Sequence, residues 1–175
     1  GASHSDDMAL IEGAINRITK RHKEVKFVFI NGPTNTGLPD SLKGNPGVEH
    51  HARWEPILKY PSLLGSMDFD IGISPLVDSA FNRGKSNLKW LEAAALSIPC
   101  VASNVGHLKE TIRHGEDGFL SDNEASFESQ LEELILDKKL RKNIGSAANA
   151  RIRKDFNIDD TAKHYVKCIE EAVAL

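Results

Sequence analysis

Between Asn87 and Ser103 the chain changes periodicity in one step, and that change limits the folds open to it. A helical pattern over Asn87–Leu96 ends at Ile98-Pro99, and the apolar run Cys100–Ser103 follows at once. A short apolar run without alternation reads as a strand buried on both faces. The same exchange of helix and strand recurs on either side. Lys26–Ile30 is a β-rich run stopped by Asn31-Gly32-Pro33, and Gly47–His51 is a weaker strand. A short helix around Tyr60–Ser66 leads into a strand over Phe69–Ser74, which Pro75 ends. A helix from about His107 to His114 and a short strand over Gly118–Ser121 complete this part.

Upstream, Met8, Ile11, Ile15 and Ile18 share one face of a helix predicted over Asp6–His22. Ser5 stands at its N-cap, with Asp6 and Asp7 at the positive end of its dipole. From Glu124 the chain is helical. One stripe runs through Phe127, Leu131, Leu134 and Ile135, and a second through Leu140, Ile144, Ala147 and Ala148. The third runs through Ala162, Tyr165, Val166, Ile169 and Val173. Short apolar strands alternating with amphipathic helices predict an α/β fold. We expect a Rossmann-like parallel sheet of about five strands with helices on both faces.

At 175 residues the chain is read as a single domain, 1–175, long enough to bury a core. Its net charge of -3 carries no nucleic-acid footprint. No apolar run reaches the length of a membrane span. Cys100 and Cys168 each sit in an apolar pattern and read as reduced core residues, which sets a cytoplasmic expectation.

In parallel sheets covered on both faces, ligands bind beyond the carboxyl ends of the strands. The loops to consider follow Ile30, His51, Ser74, Ser103 and Leu120. One of them carries Arg83, Gly84, Lys85, Ser86 and Asn87 directly before a helix. A helix start leaves amides unpaired and attracts phosphate, and two basic side chains add full charges. The alternative is an ordinary capped helix with solvated basic residues. Glu92 lies one turn in, among Leu91, Ala93, Ala94 and Ala95. A carboxylate in so apolar a helix is paired, hydrogen-bonded or facing a cleft. Two vicinal hydroxyls of a ribose suit it, and so does a salt bridge to a neighbouring Lys or Arg. An anion site beside an acid that holds hydroxyls points to a nucleotide-sugar pocket.

Other chemistries find little support. His50-His51 point to opposite faces of a strand, and no H-x-x-x-H or C-x-x-C pair is present, so no metal site is expected. There is no G-x-S-x-G elbow and no G-x-G-x-x-G fingerprint. Trp54 and Trp90 are read as packing residues.

The run E-A-A-A-L-S-I-P-C-V-A-S-N-V-G, Glu92 to Gly106, resembles the donor-binding half of retaining GT-B glycosyltransferases of the group 1, or family 4, class. So does L-K-E-T-I-R-H-G-E-D-G-F-L, Leu108 to Leu120. The likeness extends to V-K-F-V-F-I-N-G-P at Val25–Pro33, to D-F-D-I-G-I-S-P at Asp68–Pro75, and to the C-terminal R-K-D-F-N-I-D-D-T-A-K-H-Y. It covers nearly the whole chain.

The resemblance implies the C-terminal half of a GT-B fold, binding a nucleotide-sugar donor without metal or other cofactor. The family pairs two glutamates with seven residues between them. The second falls on Glu92, which becomes the ribose ligand, and the first falls on Gly84. The carboxylate that touches the donor sugar in the family is therefore missing, as in a variant subgroup of surface-polysaccharide transferases. The catalytic residues are left unassigned. The diphosphate is expected at Arg83, Lys85, Ser86 and Asn87, and the nucleobase near Gly32, Pro33 and Arg53. The family's N-terminal acceptor domain and the first strand of the donor half have no counterpart here. The chain is thus expected to be a donor half that is inactive by itself. A non-catalytic binding module of the same fold is the alternative, and a sugar-nucleotide epimerase a third.

Overall fold

A computed structural model describes residues 5–31, 38–52, 55–56 and 58–173. Five strands run through it: β1 (Phe27–Asn31), β2 (Val48–Ala52), β3 (Gly72–Ser74), β4 (Cys100–Ser103) and β5 (Phe119–Ser121). Every pairing is parallel, as expected. The one sheet of five is instead two ladders, β1-β2 and β3-β4-β5. β1 and β2 pair Phe27 with Val48 through Asn31 with Ala52. β3 carries only the last three residues of the predicted strand, because its pairing on β4 begins at Gly72.

β4 shows why its sequence does not alternate. Val101 packs into a core with Ile11, Ile15, Ile18, Phe127 and Leu134. Cys100 and Ala102, pointing the other way, pack with Trp90, Ala94, Leu108 and Ala148. Successive side chains enter opposite cores, so all four residues are buried. Cys100 is 2 % exposed, and burial pushes its thiol up to about 12. Cys168 departs from the expectation and lies exposed on the last helix.

The predicted N-terminal helix is two helices, α1 (Ser5–Ala9) and α2 (Glu12–Arg21), broken at Leu10-Ile11. Ser5 is the first helical residue of α1 rather than a cap before it. Two tertiary demands break the helix. Asp7 is drawn into buried hydrogen bonds described below, and Ile11 is buried to 1 %. The open start of α2 is then capped from afar, where Ala14 N–H donates to Glu124 Oε1 at 2.8 Å. Glu124 opens α7 (Glu124–Leu136), whose Glu128 and Glu132 pair with Arg17 and Arg21 along the two helices.

The rest of the chain supports the loops. A 3-10 turn at Asp40–Leu42 buries Leu42. α3 (Tyr60–Ser66) is where the sequence puts it. The expected irregular loop after Pro75 holds one helical turn, α4 (Ala80–Arg83), capped by Ser79 Oγ accepting from Asn82 N–H at 3.2 Å. α5 (Leu88–Ala95) and α6 (Gly106–Thr111) follow. Gly106 has φ +52, and a Cβ there would stand 2.7 Å from the Arg83 carbonyl oxygen. That close approach holds the end of α4 against the start of α6. α8 (Lys138–Asp155) crosses α5, and α9 (Ile158–Val173) ends the chain. The third apolar stripe is real, but α9 has no buried residue among those described, with Tyr165, Val166, Ile169 and Val173 all exposed. No described helix is long and apolar enough to cross a membrane.

Candidate functional site

The loop that leaves β3 at Ser74 and enters α5 at Leu88 is held from three directions. Ser103 Oγ, at the carboxyl end of β4, accepts from Leu76 N–H at 2.8 Å. Asp7, from α1, accepts from Val77 N–H at 2.9 Å and Asn82 Nδ2 at 2.7 Å. Asp7 Oδ2 also pairs with Lys85 Nζ at 3.3 Å. Burial works against the Asp7 charge, but the Val77 amide, Lys85 and Asn82 together outweigh it and hold the carboxyl below its usual range. Sequence reading placed Asp7 as a simple dipole partner. Its contacts lie 70 to 78 residues away, beyond the reach of any local pattern.

The linkage sign follows from that depression. Asp7 supplies stability that is fully present above its ordinary value of 3.8 and is lost as the pH falls through its lower folded value. Asp7→Asn is expected to lose about 1–2 kcal/mol at neutral pH. Urea melts at pH 7 and pH 3 check it, because the difference between variant and parent should shrink at pH 3. A constant difference would mean that charge on Asp7 is irrelevant.

Lys85, Ser86 and Glu92 come together on one cavity of about 1190 Å³ that reaches from the start of α5 down between β1 and β3. Lys85 is half-buried, its ammonium 5.1 Å from the Phe81 ring centroid. Ser86 is exposed and precedes the first amides of α5, which have no intrahelical acceptor. Glu92 is 20 % exposed on its side chain, and its Oε2 lies 3.1 Å from Lys89 Nζ. Lys89 also stands 5.8 Å from the Tyr60 ring centroid. Burial opposes its charge, yet Glu92 and Tyr60 outweigh that and keep Lys89 above the ordinary lysine value. The salt bridge foreseen for Glu92 is thus present, on the same helix, and Glu92 also lines the cavity.

Three other candidates are placed elsewhere. Arg83 is taken up by Asp78 through Nε and Nη2 at 2.6 and 3.0 Å, and that carboxylate raises its pKa. Gly84 caps α4 with φ -86, a conformation open to any residue. Asn87 precedes α5, but its Nδ2 donates to Thr111 Oγ1 at 3.0 Å, tying α5 to α6 instead of capping. None of the three lines the cavity among the described residues. Gly32, Pro33 and Arg53 lie outside the described residues, as does Trp54. Trp90 is a packing residue as expected, fully buried with Nε1 donating to Asp117 O at 2.9 Å. Among the described residues no three His, Cys, Asp or Glu side chains converge on one point.

Residues 3–137 match the family model described as "Glycosyl transferases group 1". The chain belongs to the group 1 glycosyltransferases. Among curated members it is 31% identical over 151 residues to the D-inositol 3-phosphate glycosyltransferase of Streptomyces bingchenggensis, covering 82% of this chain and 32% of the relative. It is also 30% identical over 97 residues to the N-acetyl-alpha-D-glucosaminyl L-malate synthase of Bacillus anthracis, covering 54% and 26%. The matched parts thus span about a quarter to a third of the length of these two relatives. Among solved structures, the C-terminal domain of the Francisella tularensis group 1 family protein LpcC superposes with a TM-score of 0.70 at 20% identity, covering 89% of this chain and 81% of that one. Anabaena Alr3699/HepE in complex with UDP-glucose gives 0.73 at 15% identity, covering 93% and 44%. The fold of a group 1 C-terminal domain, expected from the sequence, is the fold observed.

Proposed function

We propose that this chain is the nucleotide-sugar donor-binding part of a glycosyltransferase. The observation that carries the proposal is the joint presence of Lys85, Ser86 and Glu92 on one cavity, beyond the carboxyl end of β3 and at the start of α5. In this proposal the α5 amides, Ser86 and Lys85 take the diphosphate, and Glu92 accepts hydrogen bonds from the ribose hydroxyls. Arg83 and Asn87 act on the loop from outside the cavity, through Asp78 and Thr111. Gly32, Pro33 and Arg53 would border the base, since they directly follow the paired ends of β1 and β2. The structure of HepE with UDP-glucose supports a uridine donor as the first to try.

The finer points belong to the same proposal. Transfer is retaining and needs no metal, and charge on the leaving diphosphate is balanced by helix amides and Lys85. The subgroup is a family 4 variant, serving surface polysaccharide or glycoconjugate synthesis in the cytoplasm. An N-terminal acceptor domain outside this chain completes the cleft. The chain by itself binds donor and transfers nothing, because positioning of the acceptor is absent. A non-catalytic binding module is the second reading, favoured by Gly84 at the position of the family's first glutamate.

Calorimetry with UDP and with uridine tests the proposal. Glu92→Gln is expected to weaken UDP binding by about 1.5–3 kcal/mol, roughly 10- to 150-fold. Lys85→Ala should weaken UDP far more than uridine, and UDP affinity should fall as salt rises. Unchanged UDP affinity in folded Glu92→Gln would leave that side chain as the partner of Lys89 alone. Equal losses for both ligands in Lys85→Ala would make Lys85 a purely structural partner of Asp7.

A further inference from the structure

Away from the cavity, α9 carries two side chains that neither the packing of the fold nor the proposed donor site uses. His164 and Cys168 are four residues apart on this helix, so they stand beside each other on its surface. His164 Nε2 lies 3.7 Å from Cys168 Sγ. Both residues are exposed. His22, His51 and His107 each lie within reach of a glutamate, whereas His164 pairs with no carboxylate among the described residues. Asp160 and Glu171 share its side of the helix by spacing and add negative charge there. Lys163 and Lys167 offset part of it, at 3.0 and 3.7 Å from those carboxylates.

We propose that His164 and Cys168 chelate one zinc-class cation on the surface of α9. Imidazole and thiolate are the donors that zinc favours. Zinc bonds of about 2.3 Å to sulfur and about 2.05 Å to nitrogen, at the tetrahedral angle, set the two donor atoms about 3.6 Å apart. The observed 3.7 Å needs almost no adjustment, and the helix fixes the spacing, so little ordering cost falls on binding. The pair is mixed, and neither like-pair motif, H-x-x-x-H or C-x-x-C, contains it. It supplies two of the four positions, since no third His, Cys, Asp or Glu side chain joins it among the described residues. Water fills the other two and leaves the ion open to an outside donor. On binding, the thiol S–H bond breaks and its proton goes to solvent, while the thiolate and the Nε2 lone pair form the two bonds to the metal. Cys100, the other thiol, is buried and does not compete. α9 lies beyond the family match at residues 3–137, and the proposal does not depend on what the cavity binds.

Cobalt(II) is the probe, because its thiolate charge-transfer absorption reports sulfur coordination directly. Titrating the whole chain, kept reduced by a phosphine, is expected to raise that band to saturation at one cobalt per chain. Zinc should then displace the cobalt and bleach it. Cys168→Ser should abolish the band. His164→Ala should weaken cobalt binding by about 10- to 100-fold, and His107→Ala on α6 should change neither. Neither α9 side chain is buried, so both variants should keep the parent's melting midpoint without metal. Alkylation gives a second readout: zinc should slow iodoacetamide modification of Cys168 in the parent chain and not in His164→Ala. Equal cobalt affinity in His164→Ala would reduce the site to a single thiolate and overturn the proposal. So would the absence of a band at millimolar cobalt. One ion per two chains, with a doubled mass in sedimentation, would also overturn it, because the pair would then be half of a site shared between copies.

Discussion

Asp117→Ala is expected to lower stability by about 3 kcal/mol, the cost of removing the shorter and more buried of the two carboxylate partners of the Arg151 guanidinium, whose other partner is Asp155 Oδ2 at 3.4 Å. Asp117 lies in the turn between α6 and β5, with 4 % of its side chain exposed. Its Oδ2 is 2.6 Å from Arg151 Nη1 of α8, and its Oδ1 accepts from Arg113 N–H at 2.8 Å. Arg151 is itself held 5.4 Å from the Trp90 ring centroid. One side chain thus joins the turn, α8 and the fully buried indole. Urea denaturation should show a lower midpoint at unchanged slope. The double variant Asp117→Leu with Arg151→Met should recover most of the loss, since a packed apolar pair removes both desolvation costs. A single-variant loss below 1 kcal/mol would mean that the Arg151 guanidinium reaches water once its partner is gone.

Gly145→Ala is expected to cost about 2–3 kcal/mol, against the usual direction for a glycine inside a helix. In an open helix the same change gains about 1 kcal/mol. Here a Cβ would stand 1.9 Å from the Ser97 carbonyl oxygen and 2.7 Å from its carbon. Both are backbone atoms, in the turn from α5 to β4 where Ser97 holds φ +59. That turn is already in the left-handed region, so relief comes from moving α8 outward. Thermal melts of Gly145→Ala beside an exposed-site control such as Ser146→Ala separate packing from helix propensity. A stabilised Gly145→Ala would show that α8 moves away freely.

How much of this was legible in the sequence depended on the range of the cause. β4 was read to the residue because both its faces are buried and Pro99 marks its start. α5 was read within one residue at each end for the same local reasons. The break between α1 and α2 was not legible, because Asp7 and Ile11 respond to partners far along the chain. The division of the sheet was hidden as well, since strand runs say nothing about which edges meet. α9 carries a clean apolar stripe, yet a stripe records a face, not its partner. At the site, the Lys89–Glu92 pair was visible as a three-residue spacing. The capture of Arg83 by Asp78 and of Asn87 by Thr111 came from loop geometry that no residue pattern specifies.

The pairing of Lys85 with Asp7 changes what an affinity at this site would measure. An anion that approaches Lys85 meets an ammonium that already has a counter-ion, and that counter-ion is a buried carboxylate fixed by two further donors. Contact there is an exchange of one negative partner for another, and the free energy recorded is the difference between them. Whatever fraction of Lys85 turns outward is withdrawn from the knot that fastens α1 to the β3–α5 loop. Occupancy of the cavity and the anchorage of the N-terminal helix are therefore thermodynamically linked, and a change in either must register in the other.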